Sequence, residues 1–239
     1  MVHDLLNERL LQLEEHSREI PGWLHVADVV VLGVMSTCQR EMDDVGDVLE
    51  IGTYLGRSAI VLGGLLSNNE RLYACDPFAD RPWGEGVAAW DVSPERRQAA
   101  FEDNYRRFHV EPVEVLRCRS DQLPEATLSG IRLVHIDGAH DSPTVAADLR
   151  LSRRILTPGG IVVIDDYRDV ESPGVAAATW AAVAADGLIP LCLTPNKMFA
   201  AWQLRHWEVN ALSRRLVDLQ LAAHVDHGAI SRPVVLARE

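Results

Sequence analysis

The feature that most constrains the fold is an alternation of short apolar runs with helical segments between residues 45 and 205. The first five runs lack the in-and-out alternation of a strand with one wet face, which is typical of a parallel sheet covered by helices on both faces. Two later runs are joined by a short turn and can be antiparallel. We therefore predict an α/β fold with a doubly wound, seven-stranded, mostly parallel sheet, its strands near 45–52, 71–77, 113–119, 131–137, 161–166, 188–193 and 198–204.

Segments before and after this alternation have a different character. Two helices, broken by Pro21 and Gly22, precede it, and a charged helix with a short apolar tail follows it. We predict an N-terminal helical cap over 1–44, a ligand-binding domain over 45–205, and a C-terminal helix and tail over 206–239. Because the apolar tail needs something to cover it, we expect it to dock on another subunit and the protein to be a homo-oligomer.

Composition excludes several classes of partner. The formal net charge is −12, which repels phosphate backbones, so we expect no nucleic-acid partner. The longest apolar run, near 26–35, is interrupted by Asp28 and is too short to span a bilayer, so we expect no membrane segment. Four widely separated cysteines indicate free thiols and a cytoplasmic location. A small molecule is the expected partner.

A glycine loop follows the first predicted strand, in the sequence LEIGTYLGRS over 49–58. Gly52 permits a tight turn and Gly56 lets the start of the next helix lie close to a ligand. The Gly-x-x-x-Gly spacing differs from the Gly-x-Gly-x-x-Gly of dinucleotide sites. Asp76 ends the second predicted strand, where one carboxylate can accept two hydroxyl groups. The alternatives are a plain tight turn for the loop and a helix cap or solvated loop acid for Asp76.

Together these residues resemble the class I methyltransferases, which bind S-adenosylmethionine. The resemblance implies that Glu50 holds the amino acid end of the cofactor, directly or through water, and that Asp76 binds the ribose. Ser120 and Asp121, after the third predicted strand, would line the adenine pocket. The cofactor-binding residues implied are Glu50, Gly52, Thr53, Tyr54, Gly56, Arg57, Ser58, Asp76, Ser120, Asp121 and Asp137.

Acidic residues end two consecutive predicted strands, Asp137 on one and Asp165 with Asp166 on the next. A right-handed crossover makes such strands neighbours, so the carboxylates can share one cation. Three acids close together need a counter-ion, and all-oxygen ligands suit Mg²⁺. In a regular strand Asp165 and Asp166 point to opposite faces, so joint ligation requires the chain to turn there. The alternative is that the Asp165–Asp166 pair caps and hydrogen-bonds the next loop.

The Asp-Gly-x-His and Pro-Gly-Gly-x-x-x-x-Asp-Asp-Tyr patterns resemble the small-molecule O-methyltransferases that modify sugars of macrolides and aminocoumarins. The resemblance covers about 45–205. It implies that Asp137, Asp165 and Asp166 bind Mg²⁺ and that a nearby base deprotonates the acceptor. Some relatives have an acid two residues after the first ligand, where this chain has Ala139, so His140 takes the base role beside Asp137. The alternative for His140 is a loop residue bonded to the following helix.

The resemblance implies methyl transfer from S-adenosylmethionine to a hydroxyl of a small molecule, with Mg²⁺-assisted deprotonation. A sugar of a natural product is the first acceptor and a phenol or catechol-type polyketide the second. Two rivals are a nicotinamide-dependent oxidoreductase, which the missing glycine pattern disfavours, and a non-catalytic scaffold, which the retained acids disfavour.

Several other side chains have two interpretations. Trp83 and Trp90 either close over the substrate or anchor their own loop. Tyr167 and Arg168 are placed to line the acceptor pocket. His135, inside an apolar strand, is interpreted as a core histidine with satisfied hydrogen bonds, and the Asn196–Lys197 pair as a plain hairpin turn.

Overall fold

The structure is a computed structural model that describes residues 2–67, 69–78, 94–205, 207–227 and 233–238. The loop tryptophans Trp83 and Trp90 lie outside these residues, so neither interpretation of them is tested. No helix in the described ranges is long and apolar enough to cross a membrane.

The described chain alternates helices and strands as the sequence predicts. The helices are α1 (Val2–His16), α2 (Val26–Glu41), α3 (Arg57–Gly64), α4 (Pro94–Arg106), α5 (Ser142–Ile155), α6 (Pro173–Ala181) and α7 (Val209–Asp218). The strands are β1 (Asp47–Ile51), β2 (Leu72–Cys75), β3 (Glu114–Leu116), β4 (Ile131–Ile136), β5 (Leu156–Ile164), β6 (Ile189–Leu193), β7 (Met198–Ala201), β8 (Ala222–Asp226) and β9 (Val234–Arg238).

One mixed sheet with the strand order β3-β2-β1-β4-β5-β7-β6-β9-β8 forms the centre of the fold. Strands β1 to β5 pair in parallel, and β7 is antiparallel to both β5 and β6. Successive β1 residues face different layers: Val48 packs with α2 and α3, whereas Leu49 packs with α5 and α6. The prediction of a doubly wound α/β sheet with helices on both faces is therefore confirmed.

The strand count of seven was wrong, because the C-terminal segment adds two strands to the sheet. Strand β9 pairs in parallel with β6, where Cys192 lies opposite Val235, and β8 closes the new edge. Without β9, strand β6 would be an edge strand with a row of unpaired backbone donors and acceptors, and pairing with β9 satisfies some of them. The apolar tail thus docks on its own chain. The predicted homo-oligomer and the predicted division at 44 and 205 stay predictions.

Candidate active site

A cavity of about 530 Å³ opens where β1, β2 and β4 end, at the carboxyl edge of the parallel strands. Ligands of such sheets bind at this edge. Eight of the eleven residues predicted to bind the cofactor line it: Gly52, Thr53, Tyr54, Arg57, Ser58, Asp76, Ser120 and Asp137. The other three, Glu50, Gly56 and Asp121, do not.

The two loop glycines are required for different reasons. Gly52 has a φ of +86°, and a Cβ there would lie 2.1 Å from the Asp137 carbonyl oxygen. Gly52 therefore lets the ends of β1 and β4 approach each other. Gly56 has a φ of +94°, and its Cβ would lie 2.9 Å from Phe101. Gly56 thus serves the packing of α3 against α4, and its predicted close approach to a ligand stays a prediction.

Asp76 is held in place by the glycine loop. Its Oδ2 accepts the backbone N–H of Thr53 at 2.9 Å and of Tyr54 at 3.3 Å, and its Oδ1 accepts that of Phe78 at 2.6 Å. A carboxylate offers about four lone-pair sites, so acceptor capacity remains for ligand hydroxyls. Asp76 therefore serves as a loop cap and also faces the cavity.

Asp148 on α5 is a cavity residue that the sequence analysis missed. It is 2% exposed, lines the cavity, and has an Oδ2 without a hydrogen-bond partner in the described structure. Burial raises the pKa of Asp148 to about 6, although a hydrogen bond from Ser120 opposes this shift. Asp121, which the sequence placed in the adenine pocket, is instead exposed and paired with Arg119 at 3.1 Å. The carboxylate beside Ser120 in the cavity is thus Asp148.

We expect Asp148→Asn to stabilise the ligand-free protein above pH 6, the pKa that burial gives this carboxyl in the folded state. A raised folded-state pKa costs stability as pH rises through that value, and the cost is absent once both states are protonated. The variant should gain about 1–3 kcal/mol near pH 8 and nothing below about pH 4 in urea unfolding. Asp121→Asn, an exposed control, should change neither value. A gain that does not depend on pH would contradict this account.

The acidic edge of the cavity contains Asp137, His140 and Asp166. One ligand atom of each lies within 4.8 Å of the others. Asp166 has a φ of +55°, so the chain turns at this residue. Such a turn is what Asp165 and Asp166 would need in order to bind the same ion. Burial and the neighbouring Asp165 raise the pKa of Asp166 to about 6. Burial, with the same neighbour, raises the pKa of Asp137 well above its usual range.

Asp165 faces a different partner, the buried ammonium of Lys197. Strand β7 runs antiparallel to β5 with Met198 opposite Ile164, which places Lys197 beside Asp165. The Lys197 Nζ forms an ion pair with Asp165 Oδ2. Burial alone would raise the pKa of Asp165, but the Lys197 charge lowers it below its usual value. The predicted set of Asp137, Asp165 and Asp166 is thus divided between two groups of ligand atoms, one with Asp165 and one with Asp166, and its joint binding of an ion stays a prediction. The interpretation of Lys197 as a plain turn residue was wrong.

His140 is oriented by the loop that precedes α6. Its Nδ1 lies 2.9 Å from Ser172 Oγ, and Ser172 Oγ lies 3.2 Å from Asp169 Oδ2. If the serine hydroxyl donates to Asp169, it accepts the N–H of His140 Nδ1. His140 Nε2, 3.4 Å from Asp166 Oδ2, then carries the lone pair that a base needs.

Glu50 and His135 form a buried pair behind the cavity. Glu50 is fully buried, and its Oε1 lies 2.9 Å from His135 Nδ1. His135 Nε2 lies 3.1 Å from Lys197 Nζ, so both ring nitrogens of this core histidine are bonded, in line with its interpretation. Glu50 does not reach the cavity wall, so its predicted contact with the cofactor would need a bridging water molecule.

A second cavity of about 350 Å³ lies between the start of α2, the loop after β5 and the β6–β7 turn. It shares Trp23, Asp166 and Asp169 with the first cavity, so the two meet at the acidic edge. Asp28 lies on its wall, fully buried, with an Oδ2 that has no hydrogen-bond partner in the described structure. Arg168 lines this cavity, whereas Tyr167 is buried and does not.

Comparison with known proteins assigns the class. A family model described as a methyltransferase domain matches residues 49–167. Three solved structures share the fold at 17–18% identity. The O-methyltransferase NovP has a TM-score of 0.59 over 84% of this chain and 98% of its own. CalS11, a TDP-rhamnose 3′-O-methyltransferase of calicheamicin biosynthesis, has 0.52 over 83% and 94%. TomG from Streptomyces achromogenes, an O-methyltransferase of tomaymycin synthesis solved with S-adenosylmethionine, has 0.52 over 81% and 87%.

A search of curated protein sequences found no match. The matched domain runs from within β1 to just beyond the end of β5 and includes the glycine loop and the acidic edge. The protein belongs to the class I S-adenosylmethionine-dependent methyltransferases, in the family that this methyltransferase domain defines. The predicted class is confirmed, and the alternative of a nicotinamide-dependent oxidoreductase does not hold.

Proposed function

We propose that the protein transfers a methyl group from S-adenosylmethionine to a hydroxyl of a small molecule, first of all a sugar of a natural product. The observation that carries this proposal is the meeting of the two cavities at Asp166, beside Asp137 and His140. A cofactor in the larger cavity and an acceptor in the smaller one would place the methyl donor and the hydroxyl at the one edge that has a candidate base.

The larger cavity fits the cofactor in size and in chemistry. When bound, S-adenosylmethionine supplies an activated methyl group on a cationic sulfur. Asp76 would accept the ribose hydroxyls, while Ser120 and Asp148 would face the adenine. The backbone of the glycine loop, from Gly52 to Tyr54, would lie against the amino acid end. Each of these residues lines the cavity.

At the acidic edge, Asp137 and Asp166 would hold a divalent cation such as Mg²⁺, which commonly takes one or two carboxylates and keeps several waters. Such an ion lowers the pKa of a bound hydroxyl and fixes its position. His140 would accept the acceptor's proton at Nε2, since Ser172 holds the opposite side of its ring. Proton removal by a positioned side chain and alignment of the hydroxyl are what the chain itself would contribute.

The wall of the second cavity favours a polyhydroxylated acceptor over an apolar phenol. Asp28 lines this cavity, and its buried Oδ2 has no hydrogen-bond partner in the described structure, so a sugar hydroxyl that reached it would supply the missing donor. Asn196 and Arg168 add polar groups, and Trp23, which is 74% exposed, offers a flat face for a sugar ring. A phenol or catechol-type polyketide is the second candidate. We place the reaction in the cytoplasm, in line with four free cysteines.

The experiment that tests this function is a screen of glycosylated natural products, nucleotide sugars and phenols. The purified protein and S-adenosylmethionine are incubated with each compound, and mass spectrometry detects the gain of one CH₂ unit. Methylation of a sugar hydroxyl would support the proposal. Methylation of phenols alone would support the second acceptor class, and methylation only at nitrogen or carbon would refute O-methyl transfer.

Asp76→Ala should weaken binding of S-adenosylhomocysteine by roughly 5- to 150-fold, about 1–3 kcal/mol, because hydrogen bonds to a carboxylate are lost. Calorimetry with S-adenosylhomocysteine and its 2′-deoxy analogue separates this loss from a disturbed loop. The natural protein should prefer the ligand with both hydroxyls, and the variant should not. An unchanged preference in the variant would remove Asp76 from the ribose role.

A further inference from the structure

Lys197 is the only lysine in the sequence, since the other 22 of the 23 basic side chains counted as Lys or Arg are arginines. It lies in the turn before β7, yet it is 1% exposed. Compared with a guanidinium, an ammonium is a compact point charge with three donors, and its shape is closer to that of a metal ion. The fold therefore buries its one lysine among acidic side chains.

The ammonium occupies a position that is built like a metal site. Its Nζ contacts His135 Nε2 at 3.1 Å and forms an ion pair with Asp165 Oδ2. His135, Asp137 and Asp165 each offer a ligand atom, and these atoms lie within 4.8 Å of one another. We call this set the inner position, to distinguish it from the cavity-facing edge of Asp137, His140 and Asp166.

The hydrogen bonds of the inner position leave one assignment for the histidine proton. An ammonium can only donate, so His135 Nε2 accepts from Lys197, and Nδ1–H donates to Glu50. A metal ion held by this set would need a ring-nitrogen lone pair of His135 and an oxygen of Asp165. Nδ1 carries the proton donated to Glu50, and Lys197 already takes Nε2 and one Asp165 oxygen, so Lys197 and a divalent cation compete for the same two side chains.

We propose that the Lys197 ammonium is the resident cation of the inner position and excludes a divalent cation from His135, Asp137 and Asp165. Any divalent ion is thereby confined to the cavity-facing edge, and Asp165 serves as the partner of Lys197. Lys197 and Asp165 also line the second cavity, so the ammonium charge lies beside the proposed acceptor. Only this last detail rests on the proposed function.

Nuclear magnetic resonance tests the proposal on the natural protein. Isotope-labelled lysine gives one side-chain ammonium signal, because the chain has one lysine. We expect this signal to remain, with slow exchange with water, when Mg²⁺ is added to saturation. Displacement of the signal to that of a solvated lysine by Mg²⁺ would overturn the proposal.

Lys197→Met should create a divalent site. Co²⁺ suits imidazole together with carboxylate, and its visible spectrum reports a nitrogen ligand. We expect Lys197→Met to bind Co²⁺ at least about tenfold more tightly than the natural protein, because Asp28, Asp137 and Asp165 lose the positive charge of Lys197. Adding His135→Gln to this variant should abolish the gain, whereas His135→Gln alone should leave Co²⁺ binding unchanged.

Equal Co²⁺ binding by Lys197→Met and the natural protein would overturn the proposal, because a lysine with a merely structural role would not affect it. If the variant folds only when Co²⁺ is present, the metal has replaced the ammonium and the proposal is supported. If it fails to fold in either case, the lysine resonance of the natural protein decides. Neither measurement uses S-adenosylmethionine or an acceptor, so failure here leaves the proposed methyl transfer intact.

Discussion

We expect His140→Ala to lower the rate of methyl transfer by about 10²–10⁴-fold, the usual contribution of a positioned general base. His140 lines the cofactor cavity at the point where the second cavity meets it. Its Nδ1 lies 2.9 Å from Ser172 Oγ, and its Nε2 faces the acidic edge, 3.4 Å from Asp166 Oδ2, where we propose that it accepts the proton. Single-turnover kinetics with a saturating acceptor would measure the loss, and binding of S-adenosylhomocysteine should change little.

Two comparisons make this result specific. Added imidazole should restore part of the activity of His140→Ala, because it can enter the space that the side chain left. His224→Ala, which removes an exposed histidine of β8, should behave like the natural protein. Full activity in His140→Ala would show that His140 is not the base and is only a loop residue bonded to its neighbours.

Asp165→Asn should destabilise the protein by about 3–5 kcal/mol, because breaking a buried ion pair leaves an uncompensated charge. Lys197 is 1% exposed and its ammonium pairs directly with Asp165. The remaining acids near Lys197, Asp28 and Asp137, place the effect toward the lower end of this range. Urea unfolding of the ligand-free protein in chelator would measure it.

The adjacent acid provides a matched control. The ion-pair partner of Lys197 is Asp165 and not Asp166, and the pKa of Asp166 is raised to about 6. Asp166→Asn should therefore not destabilise the protein, and above pH 6 it should stabilise it slightly, because a third of the side chain is exposed to solvent. The double variant Asp165→Asn with Lys197→Met should recover part of the lost stability, since it removes both charges. Equal changes in the free energy of unfolding for Asp165→Asn and Asp166→Asn would show that the ion pair between Asp165 and Lys197 does not stabilise the fold.

Much of the candidate site could be predicted because it depends on local features of the chain. Asp76, Asp137 and Asp165 each follow an apolar strand, and the carboxyl ends of parallel strands meet at one edge. The glycine loop is equally local. What these features could not predict is which carboxylates point at each other, because that depends on backbone turns such as the one at Asp166.

The residues that were missed depend on long-range packing. Lys197 lies 32 residues after Asp165 and meets it only through the register of β5 with β7. A single lysine among many arginines was the available signal. Asp148 lies within α5, where no strand end marks it. Strands β8 and β9 were missed because their place beside β6 is set by pairing across the fold.

Because the single lysine is buried, cleavage at this residue can report how often the structure around it opens. A protease that cuts only after lysine has one target bond, between Lys197 and Met198, and this bond lies in the β6–β7 hairpin at the start of β7, which pairs with both β5 and β6. Cleavage then requires the hairpin to open, and under conditions of fast reclosing the cleavage rate follows the population of the open form. The rate at which this one bond is lost would therefore measure the local stability of the β6–β7 hairpin, without any label or substitution.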